Sequence, residues 1–143
     1  TAERLKKRSR KTITIPDPDD PKEIYEFKIR ALSTFELADH NEIFDNLPKD
    51  GKVVLNAKEE DEAEYKMLKE VILPMMKIFL PMCTMEPGIT FDRKEESDEV
   101  LHIGDIPQSV ASLIFKEILD LQKQLTNLEH QHWLNSVVFS VNW

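Results

Sequence analysis

Residues 71–83, VILPMMKIFLPMC, form the most apolar stretch of this 143-residue chain, interrupted only by Lys77 and two prolines. Such a stretch must be covered, either by other elements of the protein or by a partner. It is shorter than the roughly 20 apolar residues that a membrane-spanning helix needs, and Lys77 lies near its middle. We therefore expect no membrane-spanning helix and predict buried helices instead.

The two prolines divide this stretch. Pro74 lacks an N–H, which predicts either a helix kinked at Leu73 or two helices with Pro74 opening the second, and Pro81 is expected to end the segment. All-round apolarity after Pro74 is typical of a central core helix. Methionines also suit an adaptable binding groove, which stays open as the alternative. The side chains concerned are Met75, Met76, Phe79 and Met82.

Composition excludes several classes of function. A net charge of -8 argues against a general nucleic-acid binder, because phosphate neutralisation supplies most of that affinity. The single cysteine, Cys83, excludes an internal disulfide and is expected to be buried. The three glycines lie too far apart to build a phosphate-binding loop. The basic sequence TAERLKKRSRK is followed by no apolar segment, so a cytoplasmic protein is expected.

The first third of the chain predicts a β-hairpin followed by a helix. Residues 1–11 are basic and are expected to form a flexible, solvated, partly helical arm, with a contact for nucleic acid or an acidic partner as the alternative. Residues 12–15 and 24–32 alternate apolar and polar side chains, which predicts two antiparallel strands joined by PDPDDP. Ser33 and Glu36 form a capping box that begins a short helix.

Residues 84–104 form an acidic connection before the last predicted helix. Its length is typical of a functional segment that orders on binding. Its carboxylates have no fixed metal-ligand spacing, so we predict a solvated loop; they are Glu95, Glu96, Asp98 and Glu99. Asp105 as cap and Pro107 predict a helix running to about Leu125. Its apolar stripe is expected to cover residues 68–80; the stripe comprises Val110, Leu113, Ile114, Ile118 and Leu121.

Residues 126–143 change in character. Their aromatic side chains, Trp133, Phe139 and Trp143, suggest docking on the protein or on a partner. His130 and His132 lack a third ligand nearby, so no metal site is predicted. The expected architecture is α+β, mainly α, with an N-terminal β-hairpin packed on a small bundle of helices. A single globular domain is assigned to 12–125, between the arm at 1–11 and an aromatic extension at 126–143.

No catalytic motif is visible, since GxSxG, HExxH and CxxC are all absent. We therefore expect a protein that is not an enzyme and that needs no cofactor. A small enzyme remains an alternative if folding brings together His102, Cys83 or the acidic residues.

The order of these features resembles a known family. The segments TITIPDPDDPKEIYEFKIRALS, PMC, MEPGITFDRKEESDEVLHIGDIP and SLIFKEILDLQ, within residues 12–123, are similar in arrangement to tail assembly chaperones of long-tailed bacteriophages. The resemblance implies a non-enzymatic protein of the infected host's cytoplasm. Members bind the helical tape-measure protein and help tail-tube subunits polymerise around it.

The repackable methionine-rich helix and the acidic loop beside it predict the contacts with such a client. Met75, Met76, Phe79 and Met82 would contact its apolar stripe, and the four loop carboxylates would speed association. A homo-oligomer could hide this surface until the client arrives. The rival hypothesis is a structural virion subunit, such as a tail, baseplate or connector component, whose aromatic end inserts into a neighbour.

Overall fold

The computed structural model describes residues 1–48, 51–125 and 137–141. Its α-helices are α1 (Ala2–Arg8), α2 (Thr34–Ala38), α3 (Glu62–Met67), α4 (Leu73–Cys83) and α5 (Gln108–Leu125). Its strands are β1 (Arg10–Pro16), β2 (Ile24–Arg30), β3 (Gly51–Val54), β4 (Thr84–Glu86), β5 (Gly88–Thr90), β6 (Val100–His102) and β7 (Val137–Ser140). Of the described residues, 48% are helical and 25% lie in strands, including an antiparallel sheet. These proportions confirm the α+β prediction at that level.

The predicted hairpin is present. β1 and β2 pair antiparallel from Arg10 opposite Arg30 to Pro16 opposite Ile24, and β4 adds a third strand beside β2. Apolar side chains alternate inward; they are Ile13, Ile15, Phe27 and Ile29. In the connection, Asp17 accepts a hydrogen bond from the Asp19 N–H at 2.8 Å. Aspartate turn chemistry therefore accounts for PDPDDP.

The predicted capping box joins the hairpin to α2. Ser33 accepts a hydrogen bond from the Glu36 N–H, and Glu36 accepts one from the Ser33 N–H. Arg30, at the end of β2, donates two parallel hydrogen bonds of 2.8 Å to the Glu36 carboxylate. This hydrogen bonding, ahead of the Ser33 N–H contact, lowers the pKa of Glu36 to about 2. One ion pair thus connects the sheet to the following helix.

The apolar stretch forms one continuous helical unit with a widened turn. α3 leads into a π-helical segment, Leu68–Ile72, and α4 follows with Pro74 in its first turn. A helical segment that changes geometry just before Pro74 confirms the predicted break. The prediction that Pro81 ends the helix is wrong, because α4 continues to Cys83. Lys77 and Pro81 are both exposed, so the Lys77 carbonyl that loses its donor faces solvent.

The core is built around α4 and α5. Phe79 is fully buried between Phe44 and Phe115, with ring centroids 6.0 Å from each in edge-to-face geometry. α5 contacts α4 on one side and strands β1 and β2 on another. The predicted stripe is confirmed except at Leu113, which is only partly buried. Of the two helices, α5 packs against the hairpin strands, whereas α4 contacts β4 and β5.

A buried glutamine fastens α5 to the segment between hairpin and α2. Gln122 is 1% exposed, and its side-chain oxygen accepts a hydrogen bond from the Leu32 N–H at 2.7 Å. Its amide nitrogen donates to the Leu32 carbonyl at 3.1 Å. Two backbone groups that would otherwise be buried without partners are thereby satisfied. Nothing in the apolar periodicity of α5 predicted this contact.

The acidic connection is more ordered than predicted. It contains the parallel pair β5–β6 and two short 3-10 helices, Arg93–Glu95 and Ile103–Asp105. Asp105 does not cap α5, which begins three residues later, but accepts a hydrogen bond from Arg93 at 2.8 Å. Asp105 therefore pairs with Arg93 and does not serve as the predicted N-cap of α5.

Both predicted end segments take part in the folded structure. In the proposed extension, β7 pairs in parallel with β3, and Val137 and Phe139 are buried. In the proposed arm, residues 2–8 form α1, and Arg10 and Lys11 already belong to β1. Across the described ranges, every helix is too short or too polar to cross a membrane.

Because of the Gln122 contact, we expect substitution of Gln122 to lower stability much more than substitution of Gln124. Gln122→Ala leaves the buried Leu32 N–H and carbonyl without their partner, which costs about 1–3 kcal/mol for each unsatisfied group. Gln124→Ala, at an exposed position of the same helix, should leave stability nearly unchanged. Urea unfolding measures both. Equal effects would show that the Leu32 contact contributes nothing specific.

The Arg30–Glu36 pair predicts a pH dependence of stability. Because the pKa of Glu36 falls from 4.5 to about 2 on folding, its contribution is complete above 4.5 and disappears as the pH drops toward 2. Glu36→Gln keeps a side chain able to complete the capping box but removes the charge. For Glu36→Gln we expect a lower free energy of unfolding than that of the wild-type protein at neutral pH. We also expect this free energy to change less between the folded pKa of about 2 and the ordinary value of 4.5. Glu42→Gln, an exposed carboxylate outside any described ion pair, is the control for urea unfolding across the pH series.

Candidate functional site

An apolar groove lies where α4, the start of α5 and the acidic connection meet. α4 contributes Leu73, Met76 and Lys77, and α5 contributes Gln108, Ala111 and Ser112. The connection contributes Phe91, Ile103, Gly104 and Ile106. The cavity measures about 260 Å³. Leu73 is 38% exposed and Phe91 36%, so two large apolar side chains face solvent at its edges.

The helix geometry changes next to this groove, just before Pro74. Pro74 has no N–H for the carbonyl four residues before it, and its ring crowds the preceding turn. The helix accommodates this by a π turn in which the Leu73 N–H donates to the Leu68 carbonyl. Short π segments occur frequently at functional sites. Leu73 follows this turn and is left partly uncovered by the core.

A second depression, which we call the α3 cleft, adjoins the groove and shares Leu73 and Gln108 with it. Its other lining residues are Asn56, Ala57, Lys58, Glu59, Glu60, Tyr65, Leu68, Lys69 and Ser109. It measures about 740 Å³. Lys69 lies over the Tyr65 ring, 5.6 Å from its centroid. The cleft therefore combines apolar side chains with charges of both signs.

The acidic loop beside the groove is held by Arg93. This side chain donates to Glu96 at 3.0 Å and to Asp105 at 2.8 Å. Hydrogen bonding to Arg93 is the largest cause that lowers the pKa of Asp105. Glu95 accepts a hydrogen bond from Thr90 at 2.9 Å. Two of the four predicted carboxylates thus make contacts within the loop.

Asp98 and Glu99 differ from these two. Both are exposed, and neither forms an ion pair with another described residue. The Glu99 backbone carbonyl accepts a hydrogen bond from the Gly88 N–H at 2.9 Å, so the main chain of Glu99 is engaged next to the β5–β6 pair. These carboxylates are free to face a partner.

The predicted methionine and phenylalanine contacts fall mainly in the core. Met75 and Phe79 are fully buried and Met76 is 6% exposed, while Met82 is partly buried. Met76 reaches the groove wall, but Met75 and Phe79 are not available to a partner in this fold. The all-round apolarity of α4 therefore reflects core packing, the interpretation that the sequence favoured. Phe91, Ile103 and Ile106 replace them as groove residues.

The predicted aromatic contacts are divided. Phe139 is 3% exposed on β7, with Lys123 5.4 Å from its ring centroid, so it packs inside the protein. Trp133 and Trp143 lie outside the described residues, as do His130 and His132. Of the two alternatives that the sequence left open, Phe139 therefore docks on the protein itself and is not available to a partner.

The residues considered for chemistry lie in separate environments. Burial raises the pKa of the Cys83 thiol to about 12, which leaves it protonated at neutral pH. The His102 ring accepts a hydrogen bond from the Gly104 N–H at 2.9 Å. In the described part of the chain, no three His, Cys, Asp or Glu side chains cluster as a metal site.

Ser112 lines the groove, and the effect of its hydroxyl on stability can be tested by substitution. Its hydroxyl is fully buried and has no hydrogen-bond partner among the described residues. Ser112→Ala removes this unsatisfied group and improves helix propensity, so stability should rise by about 1–2 kcal/mol. Ser109→Ala, at a partly exposed position one turn earlier, is the control for thermal and urea unfolding. A loss of stability in Ser112→Ala would show that the hydroxyl has a partner in solution.

Comparisons of the chain with protein-family models, curated proteins and solved structures find no match. The groove, the α3 cleft and the acidic loop are therefore the features from which function is inferred.

Proposed function

We propose that this protein is a non-enzymatic tail assembly chaperone that binds an amphipathic helix of a tape-measure-like protein. The observation that carries the proposal is the apolar groove with Leu73 and Phe91 exposed at its edges. Helix-in-groove recognition uses apolar side chains at spacings of three and four residues. A groove of about 260 Å³ accommodates one or two such side chains.

Lys77 lines the groove itself, but the carboxylates on the neighbouring loop favour a client with a basic flank. Asp98 and Glu99 are exposed on the neighbouring loop and unpaired among the described residues. Lysines beside the client's apolar stripe would be attracted by these carboxylates during approach. Exposed charges of this kind change the association rate and its salt dependence more than the strength of the final complex.

A chaperone of this kind would act in the host cytoplasm and would be absent from the finished particle. A structural virion subunit would instead stay in the finished particle. The protein content of purified particles separates these functions: stoichiometric presence would favour the structural subunit.

The groove predicts which substitutions weaken client binding. Leu73→Ser and Phe91→Ser remove exposed apolar surface, so each should weaken recovery of a co-expressed tape-measure-like protein by about tenfold. Phe35→Ser is the matched control, because Phe35 is 86% exposed on α2 and does not line the groove. Pull-down at low and high salt provides the measurement, with melting curves to verify folding.

The same experiment contains the result that would reject the proposal. Equal recovery with wild-type protein and both groove variants would place the client elsewhere. Failure of the wild-type protein to recover the client at either salt concentration, together with abundance in particles, would favour the structural subunit.

A further inference from the structure

Helix α1 is short, basic and poorly anchored. It spans seven residues, and none of its side chains is buried. Isolated helices of this length are marginal in water, so their stability normally comes from packing of one face. Residues 1–11 hold six basic side chains and one acidic one in a chain whose net charge is -8. The rest of the molecule is therefore strongly acidic.

The two faces of α1 have different surroundings. Glu3, Lys6 and Lys7 line a hollow of about 380 Å³ against the protein's own sheet, together with Ile29 and Met85. On the opposite face lie Arg4, Leu5 and Arg8, which are all exposed. Leu5 is 65% exposed, and neither arginine forms an ion pair with another described residue. This outer face presents a leucine between two guanidinium groups.

The α3 cleft offers the complementary chemistry. Glu59, Glu60, Asp61 and Glu62 are exposed, and no described cation lies within ion-pair distance of them. In the neighbouring turn, burial and then repulsion from Asp61 raise the pKa of Glu64. Inside the cleft, Leu73 and Tyr65 supply accessible apolar surface, while Lys58 and Lys69 add positive charge. The unpaired carboxylates that line the cleft are those of Glu59 and Glu60.

We propose that α1 of one copy docks in the α3 cleft of a second copy, with Leu5 on Leu73 and Tyr65 and with Arg4 and Arg8 facing Glu59 and Glu60. Guanidinium and carboxylate groups match in geometry and form paired hydrogen bonds. The inference does not depend on the identity of the client. The docked α1 would lie next to the groove, because Leu73 and Gln108 line both the groove and the α3 cleft.

Two observations favour this occupant over others. The 92–99 loop is also acidic, but Arg93 already pairs with Glu96, and Glu95 is bonded to Thr90. Nucleic acid would match the basic face of α1, yet the acidic remainder of the chain repels phosphates. The α3 cleft has both unpaired carboxylates and an apolar floor for Leu5.

The geometry of such a contact is head-to-tail. Each copy offers α1 to one neighbour and its cleft to another, so the interface joins different surfaces and generates rings or open chains. Because its charges are exposed, we expect association to be salt-dependent and to weaken as screening increases from about 50 to about 500 mM NaCl.

Sedimentation velocity on the full chain over a concentration series tests this contact. Arg4→Gln/Arg8→Gln and Glu59→Gln/Glu60→Gln should each weaken self-association by roughly tenfold. Leu5→Ser should weaken it as well. Lys6→Gln/Lys7→Gln is the matched control, since it removes the same charge from the inner face of α1. All substituted side chains are exposed, so circular dichroism should remain that of the wild-type protein.

A mixing experiment gives the sharpest outcome. The arginine variant retains an intact cleft and the glutamate variant an intact α1, so together they should form a 1:1 heterodimer and nothing larger. A wild-type chain that stays monomeric at every salt concentration would overturn the proposal, as would equal effects of the outer-face and inner-face variants. A monomeric chain that binds oligo-dT, and loses that binding in Arg4→Gln/Arg8→Gln, would overturn it in favour of a polyanion surface.

Discussion

The burial of one face of α4, which carries Met75, Met76, Phe79, Leu80 and Cys83, is the constraint on which the rest of the structure depends. Phe79 is enclosed by Phe44, from the 3-10 helix Asn41–Phe44, and by Phe115 from α5. α5 in turn packs against the hairpin strands β1 and β2. Each large side chain buried in this way contributes about 1.5–3 kcal/mol. Elements far apart in sequence are therefore held by one helix. Where their cover stops, at Leu73, an apolar groove remains.

Two prolines within α4 have opposite consequences because of where they lie. Pro81 is on an exposed side, so its missing hydrogen bond is tolerated and the helix continues to Cys83. Pro74 lies where the chain enters the core, and the turn before it widens into a π segment. Leu73 follows this turn and lies on the same exposed face of α4 as Lys77 and Pro81. The groove therefore adjoins the position at which the helix geometry changes.

Local patterns predicted the hairpin, the capping box, the break at Pro74 and α5, because period-two alternation, Ser33–Glu36 spacing and helical periodicity act within a few residues. Long-range contacts were not predictable in this way. β7 pairs with β3, 86 residues apart at Gly51 and Val137, and Gln122 satisfies Leu32 across 90 residues. For the same reason the buried Met75 and Phe79 were assigned to a partner, while Phe91 and Ile106 were overlooked at the groove.

Arg93 links the loop beside this groove to Asp105 through an exposed ion pair. It ties the loop to Asp105, immediately before α5, and the hydrogen bonds of this pair raise the pKa of Arg93 and lower that of Asp105. The pair therefore persists when the pH falls below the ordinary pKa of an aspartate, and it breaks only as the pH passes through the lowered value. One groove wall is a helix and the other is a loop fixed by this arginine. A client would then meet a surface already ordered, with Asp98 and Glu99 still free to attract it.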